Sequence, residues 1–300
     1  RLEDEKRLEL RKNHNIEEDA FVVGFVFRNQ LRKSVPNLLE GYAKWKKENN
    51  PKKKTYLLLH THWKEGWGIH KLAKEYNVPH DEILTTYVCK KCSKYQIKPY
   101  SGEDQNCPYC GGEKSQVTTG VGLGVRENQL NEIYNLMDVY CHPFTSGGQE
   151  IPIQEAKLTE LITLVTDYSC GEESCEEGSE SIPLTWSEYR EPQTEFIKAS
   201  TCPISIASSI DTVYNMEAEE KRDMGKKARQ WALDNFSVEV IGKFFEDFID
   251  NAPDVDYDFE AADSSEGKKK NNPDAIIPHI ENDSDWILTL YKEILATDNH

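Results

Sequence analysis

Short apolar runs alternate with amphipathic segments over the first 165 residues of the chain. The first run, FVVGFVF, is apolar at almost every position, which is typical of a strand buried on both faces of a parallel sheet. Repeated strand–helix–strand units build a doubly wound sheet, so the sequence predicts an α/β fold with a parallel sheet. Predicted strands cover residues 21–27, 56–59, 83–88, 139–143 and 162–165, and predicted helices cover residues 35–47, 69–76, 127–137 and 152–161.

The rest of the chain is less regular. Residues 170–196 carry eight acidic residues and one arginine and are predicted to form a loop. Amphipathic helices are predicted over residues 217–235 and 238–249, the second capped by Ser237. The polar residues 251–275 have little to bury and indicate a flexible linker, followed by a helix within residues 276–300. The apolar stripe of that last helix needs a partner and consists of Trp286, Ile287, Leu290, Tyr291 and Ile294.

The net charge of −17 argues against general binding to nucleic acid or to anionic membranes, because like charges repel. No apolar run approaches the roughly 20 residues that a membrane span requires, and no signal peptide is visible. We therefore expect a cytoplasmic protein without a membrane span. The charged, helix-like opening RLEDEKRLELRKNH resembles an internal start, so we expect the chain to be a fragment.

Two CxxC pairs, CKKC and CPYC, supply Cys89, Cys92, Cys107 and Cys110. Each pair places two sulfurs on one side of a tight turn, and two facing turns form the four-thiolate site that structural zinc prefers. A closed site of this kind has no open coordination position, so the predicted Zn²⁺ is structural. Residues 88–114 are thus predicted to be an inserted zinc ribbon. The alternative, buried free thiols, does not require doubled spacing.

The predicted ribbon is locally basic, and its lysines could contact an acidic partner such as nucleic acid. A solvated face is the favoured interpretation, since short basic runs are common. The segment CGEESC, Cys170 to Cys175, could form a second metal or redox site, but ordinary thiols are favoured here and at Cys141 and Cys202. The ribbon lysines are Lys90, Lys91, Lys94, Lys98 and Lys114.

Candidate phosphate-binding residues follow two of the predicted strands, at the sheet edge where doubly wound folds bind ligands. Arg28 and Lys33 follow the first strand in FRNQLRK, and two cations there suit a diphosphate. The segment TSGGQEIPIQEA places small residues before a helix whose free N–H groups attract anions. Glu155 lies one turn inside that helix, where it can accept hydrogen bonds from hydroxyls or compensate the helix dipole.

Several segments together resemble the nucleotide-sugar-binding half of GT-B glycosyltransferases. The type that they resemble most is the retaining family-four group. They are FVVGFVFRNQLRK, NLLEGYAKW, YLLLH, RENQLNEIYNLMDVYCHPFTSGGQEIPIQEA and LVTDYSCGEE. The resemblance runs from about residue 19 to residue 249, and the ribbon interrupts it. It implies a Rossmann-like donor domain over residues 15–250 that binds a nucleoside-diphosphate sugar. It also implies a glycosyltransferase of the hexosyltransferase type.

Site residues follow from this resemblance. Arg28 and Lys33 match the family's diphosphate-binding cations, and Glu155 matches the glutamate that contacts the donor ribose. Thr86 and Tyr87, near the end of the strand before the ribbon, match the backbone that meets the base. The glycine-containing turn that holds the distal phosphate and sugar corresponds to Ser146, Gly147, Gly148, Gln149 and Ile151.

The chain departs from the family in two ways. The glutamate that normally reaches the transferred sugar would fall on Gly147, so Glu150 is the candidate catalytic residue in its place. In the family an N-terminal acceptor domain precedes this segment, and we expect it to be absent from this fragment, so the acceptor would be held by that domain or by a partner chain. Residues 276–300 resemble the helix that crosses back to pack on the acceptor domain.

Three other interpretations stay open. The chain could be a catalytically degenerate binding module whose ribbon recruits protein or nucleic acid. It could be a glycosyltransferase that acts on modified DNA, with the ribbon contacting the duplex. The ribbon could also merely stiffen a loop beside the base pocket. His60 and His62 follow the second strand and face the expected cleft, but such histidines are more often structural, so they are not included among the site residues.

Overall fold

The computed structural model describes residues 1–253, and residues Arg1–Ile249 form one compact unit. The predicted linker and C-terminal helix lie almost wholly outside the described residues. The strands are β1 (Phe21–Val26), β2 (Thr55–His60), β3 (Ile83–Cys89), β4 (Tyr95–Pro99), β5 (Gln116–Thr118), β6 (Val139–His142), β7 (Ile162–Thr166), β8 (Ser181–Leu184), β9 (Trp186–Arg190) and β10 (Ile197–Thr201). The helices are α1 (Asp4–Asn13), α2 (Val35–Asn49), α3 (Ile69–Glu75), α4 (Glu127–Leu136), α5 (Ile151–Leu158), α6 (Gly171–Cys175), α7 (Pro203–Asn215), α8 (Ala218–Phe236) and α9 (Val238–Asp250).

The central sheet confirms the predicted parallel α/β fold. Its parallel strands run in the order β3, β2, β1, β6, β7, β8. Every residue of β1 is buried, because this strand lies in the middle of the sheet with helices packed against it. The strand order reverses between β1 and β6, and ligands of doubly wound sheets bind in the crevice that such a reversal opens.

The ribbon is built onto β3. Strand β4 pairs antiparallel with one edge of β3 from Leu84 to Val88. On its other edge, β3 pairs with β2 only as far as Thr85, and β5 then takes the place of β2 opposite residues 87–89. The ribbon therefore extends the sheet beyond the carboxyl end of β2, and the chain that leaves β5 lies beside the ligand crevice.

The prediction that residues 170–196 form a loop is wrong. The segment contains α6, the sixth parallel strand β8 and the first strand of the β9–β10 hairpin. Strand β8 escapes sequence analysis because it lies at the sheet edge, where only Leu184 is fully buried and no continuous apolar run is needed. None of the helices in residues 1–253 combines the length and apolar character of a membrane crossing.

Candidate functional site

The candidate phosphate site lies where β1 and β6 end. After β1 the chain makes a short 3-10 turn, Leu31–Lys33, and after β6 it runs through Thr145 to Glu150 before α5 begins at Ile151. The N–H of Thr145 donates to the Arg32 carbonyl at 2.8 Å. This bond fixes the two segments against each other at the point where the strand order reverses.

A buried network of charges fills this point. The Lys33 ammonium and the Arg32 guanidinium both pair with the Glu150 carboxylate. His142 Nε2 lies 3.1 Å from Glu150 Oε2, and His142 Nδ1 lies 2.8 Å from the Tyr140 hydroxyl. Lys33 and Glu150 expose only 4% and 3% of their side chains, so each is the main counter-charge of the other. Arg32 is 40% exposed and connects the network to solvent.

The protonation states follow from burial and pairing. Burial lowers the pKa of Lys33, and the Glu150 carboxylate partly offsets that effect. Burial works to raise the pKa of Glu150, but hydrogen bonds from His142 and Lys33 outweigh it and hold that pKa well below its usual range. Burial lowers the pKa of His142 to about 4, so this imidazole is neutral at pH 7. A neutral ring protonated at Nε2 donates to Glu150. The Tyr140 hydroxyl beside Nδ1 has one proton, and it also donates to the Val26 carbonyl at 3.1 Å.

Gly147 lies directly beside the Glu150 carboxylate. A Cβ atom at Gly147 would lie 2.7 Å from Glu150 Oε1 and 3.4 Å from Cys170 Sγ. The Ser169 hydroxyl donates to the Gly147 carbonyl at 2.8 Å and so holds this part of the loop in place. The Glu150 carboxylate therefore occupies space that a side chain at position 147 would enter.

The other loop residues predicted to bind the donor are accessible. Ser146 is half-buried, Gly148 and Gln149 are exposed, and Ile151 begins α5 with 62% of its surface exposed. Glu155 is half-buried, and one of its carboxylate oxygens accepts a hydrogen bond from the Tyr134 hydroxyl at 2.7 Å.

Arg28 stands apart from the buried network. Its side chain is 54% exposed, and its Nε donates to Glu65 at 3.2 Å. It lines a cavity of about 270 Å³ beyond the carboxyl ends of β1 and β2. The structure thus places the two predicted cations in different surroundings, Lys33 in the buried network and Arg28 at the cavity.

The cavity has a mainly apolar wall with a few polar groups. Burial lowers the pKa of His60 to about 4, and His60 Nδ1 lies 2.9 Å from the Thr86 hydroxyl. Thr86 and Tyr87 themselves are fully buried within β3, where the ribbon strands cover them. The cavity is lined by Val26, Phe27, Arg28, His60, His62, Glu65, Thr119, Gly120, Val121, Gly124 and Pro152.

The four cysteines of the CxxC pairs converge, and their Sγ atoms all lie within 4.8 Å of one another. The Cys89–Cys110 and Cys92–Cys107 sulfur distances are 3.8 and 3.7 Å. A tetrahedral zinc with bonds of about 2.3 Å separates its sulfurs by about 3.8 Å. The N–H groups of Lys91 and Cys92 point at Cys89 Sγ, at 3.3 and 3.4 Å, as in a metal-binding turn. The cluster therefore fits a zinc ion in size and donor chemistry.

Three of the five ribbon lysines are engaged within the ribbon. Lys90 pairs with Asp104 at 3.1 Å, and Lys94 lies over the Tyr109 ring at 5.2 Å. Lys98 is half-buried and donates to two glutamines. These contacts do not favour a free basic surface for nucleic acid, and that interpretation stays a prediction. In the described part of the chain, the four-cysteine group is the one cluster compatible with a metal. Cys175, in the second candidate segment CGEESC, is not part of a metal-compatible cluster among these residues, and its thiol donates to the Val165 carbonyl.

Two members of the buried network are not among the site residues predicted from the sequence. Arg32 stands next to Lys33 in FRNQLRK, and this adjacency is the signal that could have identified it. His142 is the last residue of β6, and a histidine at the carboxyl end of a buried parallel strand is a recognisable candidate. Its pairing with Glu150 depends on how the loop after β6 folds back, which the spacing alone does not show.

No protein-family model matches the chain, and no curated protein matches it in sequence. Solved structures of glycosyltransferases do match its fold. HepE from Anabaena, in complex with UDP and glucose, has a TM-score of 0.56 and 14% identity over 84% of this chain and 53% of its own. Sucrose-phosphate synthase from Thermosynechococcus elongatus has a TM-score of 0.53 and 14% identity over 81% of this chain and 49% of its own.

A third match concerns a domain alone. The C-terminal domain of the group 1 glycosyl transferase LpcC from Francisella tularensis has a TM-score of 0.50 and 10% identity over 79% of this chain and 95% of its own. The chain thus spans about half the length of HepE and sucrose-phosphate synthase. These likenesses show a fold shared with GT-B glycosyltransferases.

Proposed function

We propose that the chain is the donor-binding domain of a glycosyltransferase that binds a nucleoside-diphosphate sugar. One observation carries the proposal: Arg32, Lys33, the glycine loop and the start of α5 converge at the strand-order reversal of this fold. Cations and free N–H groups at such a point suit a diphosphate. The HepE complex with UDP-glucose supports a donor of this class.

The reaction we propose is hexosyl transfer with retention, to an acceptor held by an N-terminal domain or a partner chain. The departing diphosphate develops negative charge, and positioned cations with a helix N-terminus stabilise that charge. Arg32 and Lys33 are the cations in place, with Arg28 at the edge of the neighbouring cavity. An incoming diphosphate therefore competes with the Glu150 carboxylate for Lys33 and Arg32, and releases that carboxylate towards the sugar.

Glu150 is the catalytic residue of this proposal. Its carboxylate lies beside Gly147, where the glutamate of similar enzymes would project its side chain. The lowered pKa keeps Glu150 ionised at neutral pH, so it acts by charge and by accepting hydrogen bonds from sugar hydroxyls, not by donating a proton. Glu155 accepts ribose hydroxyls in the same way, beside its bond from Tyr134.

We propose a structural zinc ion at Cys89, Cys92, Cys107 and Cys110. A ribbon of this size has little core of its own, and bound metal supplies folding free energy that packing cannot. When bound, the zinc holds the two turns together and offers no open position for chemistry. Turns held in this way would support the register of β4 and β5 on β3.

Calorimetry with UDP-, GDP- and ADP-sugars tests the proposal. We expect one nucleotide class to bind with micromolar affinity, and Arg32→Ala to weaken it about tenfold because a charge-assisted bond to phosphate is lost. Arg32→Ala keeps the Lys33–Glu150 pair, so the variant should fold. Lys44→Ala is the matched control, since Lys44 forms a surface pair with Glu48 on α2. No binding by the wild-type chain to any of these donors would overturn the proposal.

A swap of side chains tests the role of Glu150. Glu150→Gln should abolish most transfer in the complete enzyme, and Gly147→Glu combined with Glu150→Gln should restore part of it. Restoration is expected because the two side chains reach the same space. Full activity of Glu150→Gln alone would show that the carboxylate has no catalytic role.

A further inference from the structure

A chain of polar contacts runs through His142 in the buried network. Its Nε2 lies 3.1 Å from Glu150 Oε2, and its Nδ1 lies 2.8 Å from the Tyr140 hydroxyl. The Tyr140 hydroxyl in turn donates to the Val26 carbonyl at 3.1 Å. His142 and Tyr140 are both fully buried, so their polar atoms depend on these contacts.

The three contacts suit a protonated imidazole better than a neutral one. In the neutral ring, Nε2–H donates to Glu150 and Nδ1 carries a lone pair. The single Tyr140 proton then serves either Nδ1 or the Val26 carbonyl, and the other acceptor is left without it. In the imidazolium, Nδ1–H donates to the Tyr140 oxygen while the Tyr140 hydroxyl donates to Val26. All three contacts are then hydrogen bonds.

Two influences keep His142 neutral in the protein without a ligand. Burial lowers its pKa to about 4 and is the larger influence. The positive charges of Lys33 and Arg32 lower that pKa further, and the Glu150 carboxylate raises it. Both cations pair with this same carboxylate, so they offset the negative charge that would favour a proton on the ring.

The other groups around the imidazole carry no charge at neutral pH. The rings of Phe25 and Phe144 pack against it, with centroid distances of 5.0 and 5.6 Å. Burial raises the pKa of the Tyr140 hydroxyl well above its ordinary value and the pKa of the nearby Cys170 thiol to about 11. The two cations and the carboxylate of the network therefore control whether His142 is protonated.

A bound diphosphate would change this balance. Its negative charges would engage Lys33 and Arg32, so these cations would no longer offset the Glu150 carboxylate or repel a proton at His142. The Glu150 side chain is only 3% exposed, and a buried carboxylate that loses its counter-charges is strongly disfavoured. A proton on His142 supplies a new counter-charge. Solvent can deliver that proton at the edge of the network, where Arg32 is 40% exposed.

We propose that binding of the donor diphosphate is coupled to uptake of one proton by His142, and that the imidazolium then holds Glu150 in place. This inference rests on the proposed function. Arg32 pairs with Glu150 Oε1 and His142 with Oε2, so departure of Arg32 frees the oxygen beside Gly147 while His142 keeps the other. His142 is thus a positioning residue, and Glu150 stays ionised towards the sugar.

Calorimetry in buffers with different heats of ionisation would measure the protons taken up on binding. The ligand would be the UDP-, GDP- or ADP-sugar that binds wild type, because each of its phosphates is esterified and has no ionisation near neutral pH. We expect uptake that approaches one proton per chain at pH 6, where the ligand-free ring is neutral. Since binding takes up protons, affinity should weaken as the pH rises, by up to about tenfold per pH unit.

Three variants test whether His142 is the group that takes up the proton. His142→Gln keeps an amide N–H for Glu150 but cannot gain a proton, so the uptake should disappear. Tyr140→Phe removes the oxygen that accepts from Nδ1–H, so it should reduce the uptake while keeping the ring in place. His14→Gln is the matched control and should keep the full uptake, since His14 also has a lowered pKa of about 4 but contacts Ile97 in β4.

The possible results separate this inference from the proposed function. Binding of a nucleotide sugar by wild type without proton uptake would overturn the inference and leave the proposed function standing. Unchanged uptake in His142→Gln would also overturn it, because another group would then take the proton. Loss of the uptake in His14→Gln would do the same. If wild type binds none of the nucleotide sugars, the proposed function and the inference fall together.

Discussion

The two halves of the candidate donor groove are built in opposite ways. We call the buried network of Arg32, Lys33, His142 and Glu150 the charge cluster, and the cavity of about 270 Å³ beside the ribbon the ribbon-side cavity. In the charge cluster, every buried charge has a partner inside the protein. In the wall of the ribbon-side cavity, the buried Thr119 hydroxyl has no partner among the described residues. Changes in the charge cluster should therefore alter stability as well as binding, whereas removal of the Thr119 hydroxyl breaks no hydrogen bond within the described residues.

Removal of zinc is expected to have the largest effect, because apparent binding free energies of structural zinc in small peptides reach about 10–16 kcal/mol. We expect the wild type to bind one zinc ion per chain. Cys107→Ala should abolish zinc binding and unfold the ribbon, while the charge cluster stays folded. Elemental analysis and hydrogen exchange would measure both. Cys202→Ala, outside the cluster, is the control. If the amides of β1 and β6 also lost their protection from hydrogen exchange, the two halves would not be independent.

Lys33→Ala should be the most destabilising single change in the charge cluster. It leaves the Glu150 carboxylate buried with only the half-exposed Arg32 as a cation, and breaking a buried pair costs about 3–5 kcal/mol. Urea denaturation at pH 7 would measure the loss. Arg28→Ala is the matched control, since its exposed pair with Glu65 is worth less than about 1 kcal/mol. Equal losses of unfolding free energy in Lys33→Ala and Arg28→Ala would contradict the view that the buried pair stabilises the fold more than the exposed one.

Acid should destabilise the charge cluster through His142. Burial lowers its folded pKa to about 4, against about 6.5 in the unfolded chain, so the unfolded state binds more protons between these values. Stability therefore falls as the pH drops from about 6.5 towards 4, by up to about 1.4 kcal/mol per pH unit for this group. Glu150 acts in the same direction at lower pH, because its folded pKa is also lowered.

Denaturation curves between pH 7 and pH 5 would measure that slope. His14 and His60 have lowered pKa values of about 4 and contribute to it in the wild type. His142→Gln should reduce the slope by the share of one histidine. An unchanged slope in His142→Gln would mean that the imidazole is not held neutral by burial.

Gly147→Ala should have the smallest effect. The added Cβ would lie 2.7 Å from the carboxylate end of Glu150, which can shift, so we expect a cost of about 1 kcal/mol and weaker donor binding. Gly148→Ala is the control, because its Cβ would meet open space. Thermal denaturation and donor titration would compare the two. A neutral Gly147→Ala would show that the Glu150 carboxylate is not confined beside the loop.

Local sequence patterns predicted much of the fold. Apolar runs such as FVVGFVF predicted the parallel strands, since burial on both faces leaves a continuous signal in the sequence. The edge strand β8 was missed because an edge position tolerates polar residues. The predicted cytoplasmic location, linker and crossover helix stay predictions.

The sequence by itself determined which chemical groups the site contains: the paired cysteines, the cations after β1 and the glycine loop before α5. Only the tertiary structure decided how they combine. Lys33 meets Glu150 across 117 residues of chain, and Thr119 lines the cavity because β5 takes the place of β2 beside β3. Such partners are set by the crossing of strands and loops in three dimensions, and no local periodicity encodes them. Burial then decided which groups are charged, since it depends on everything packed around them.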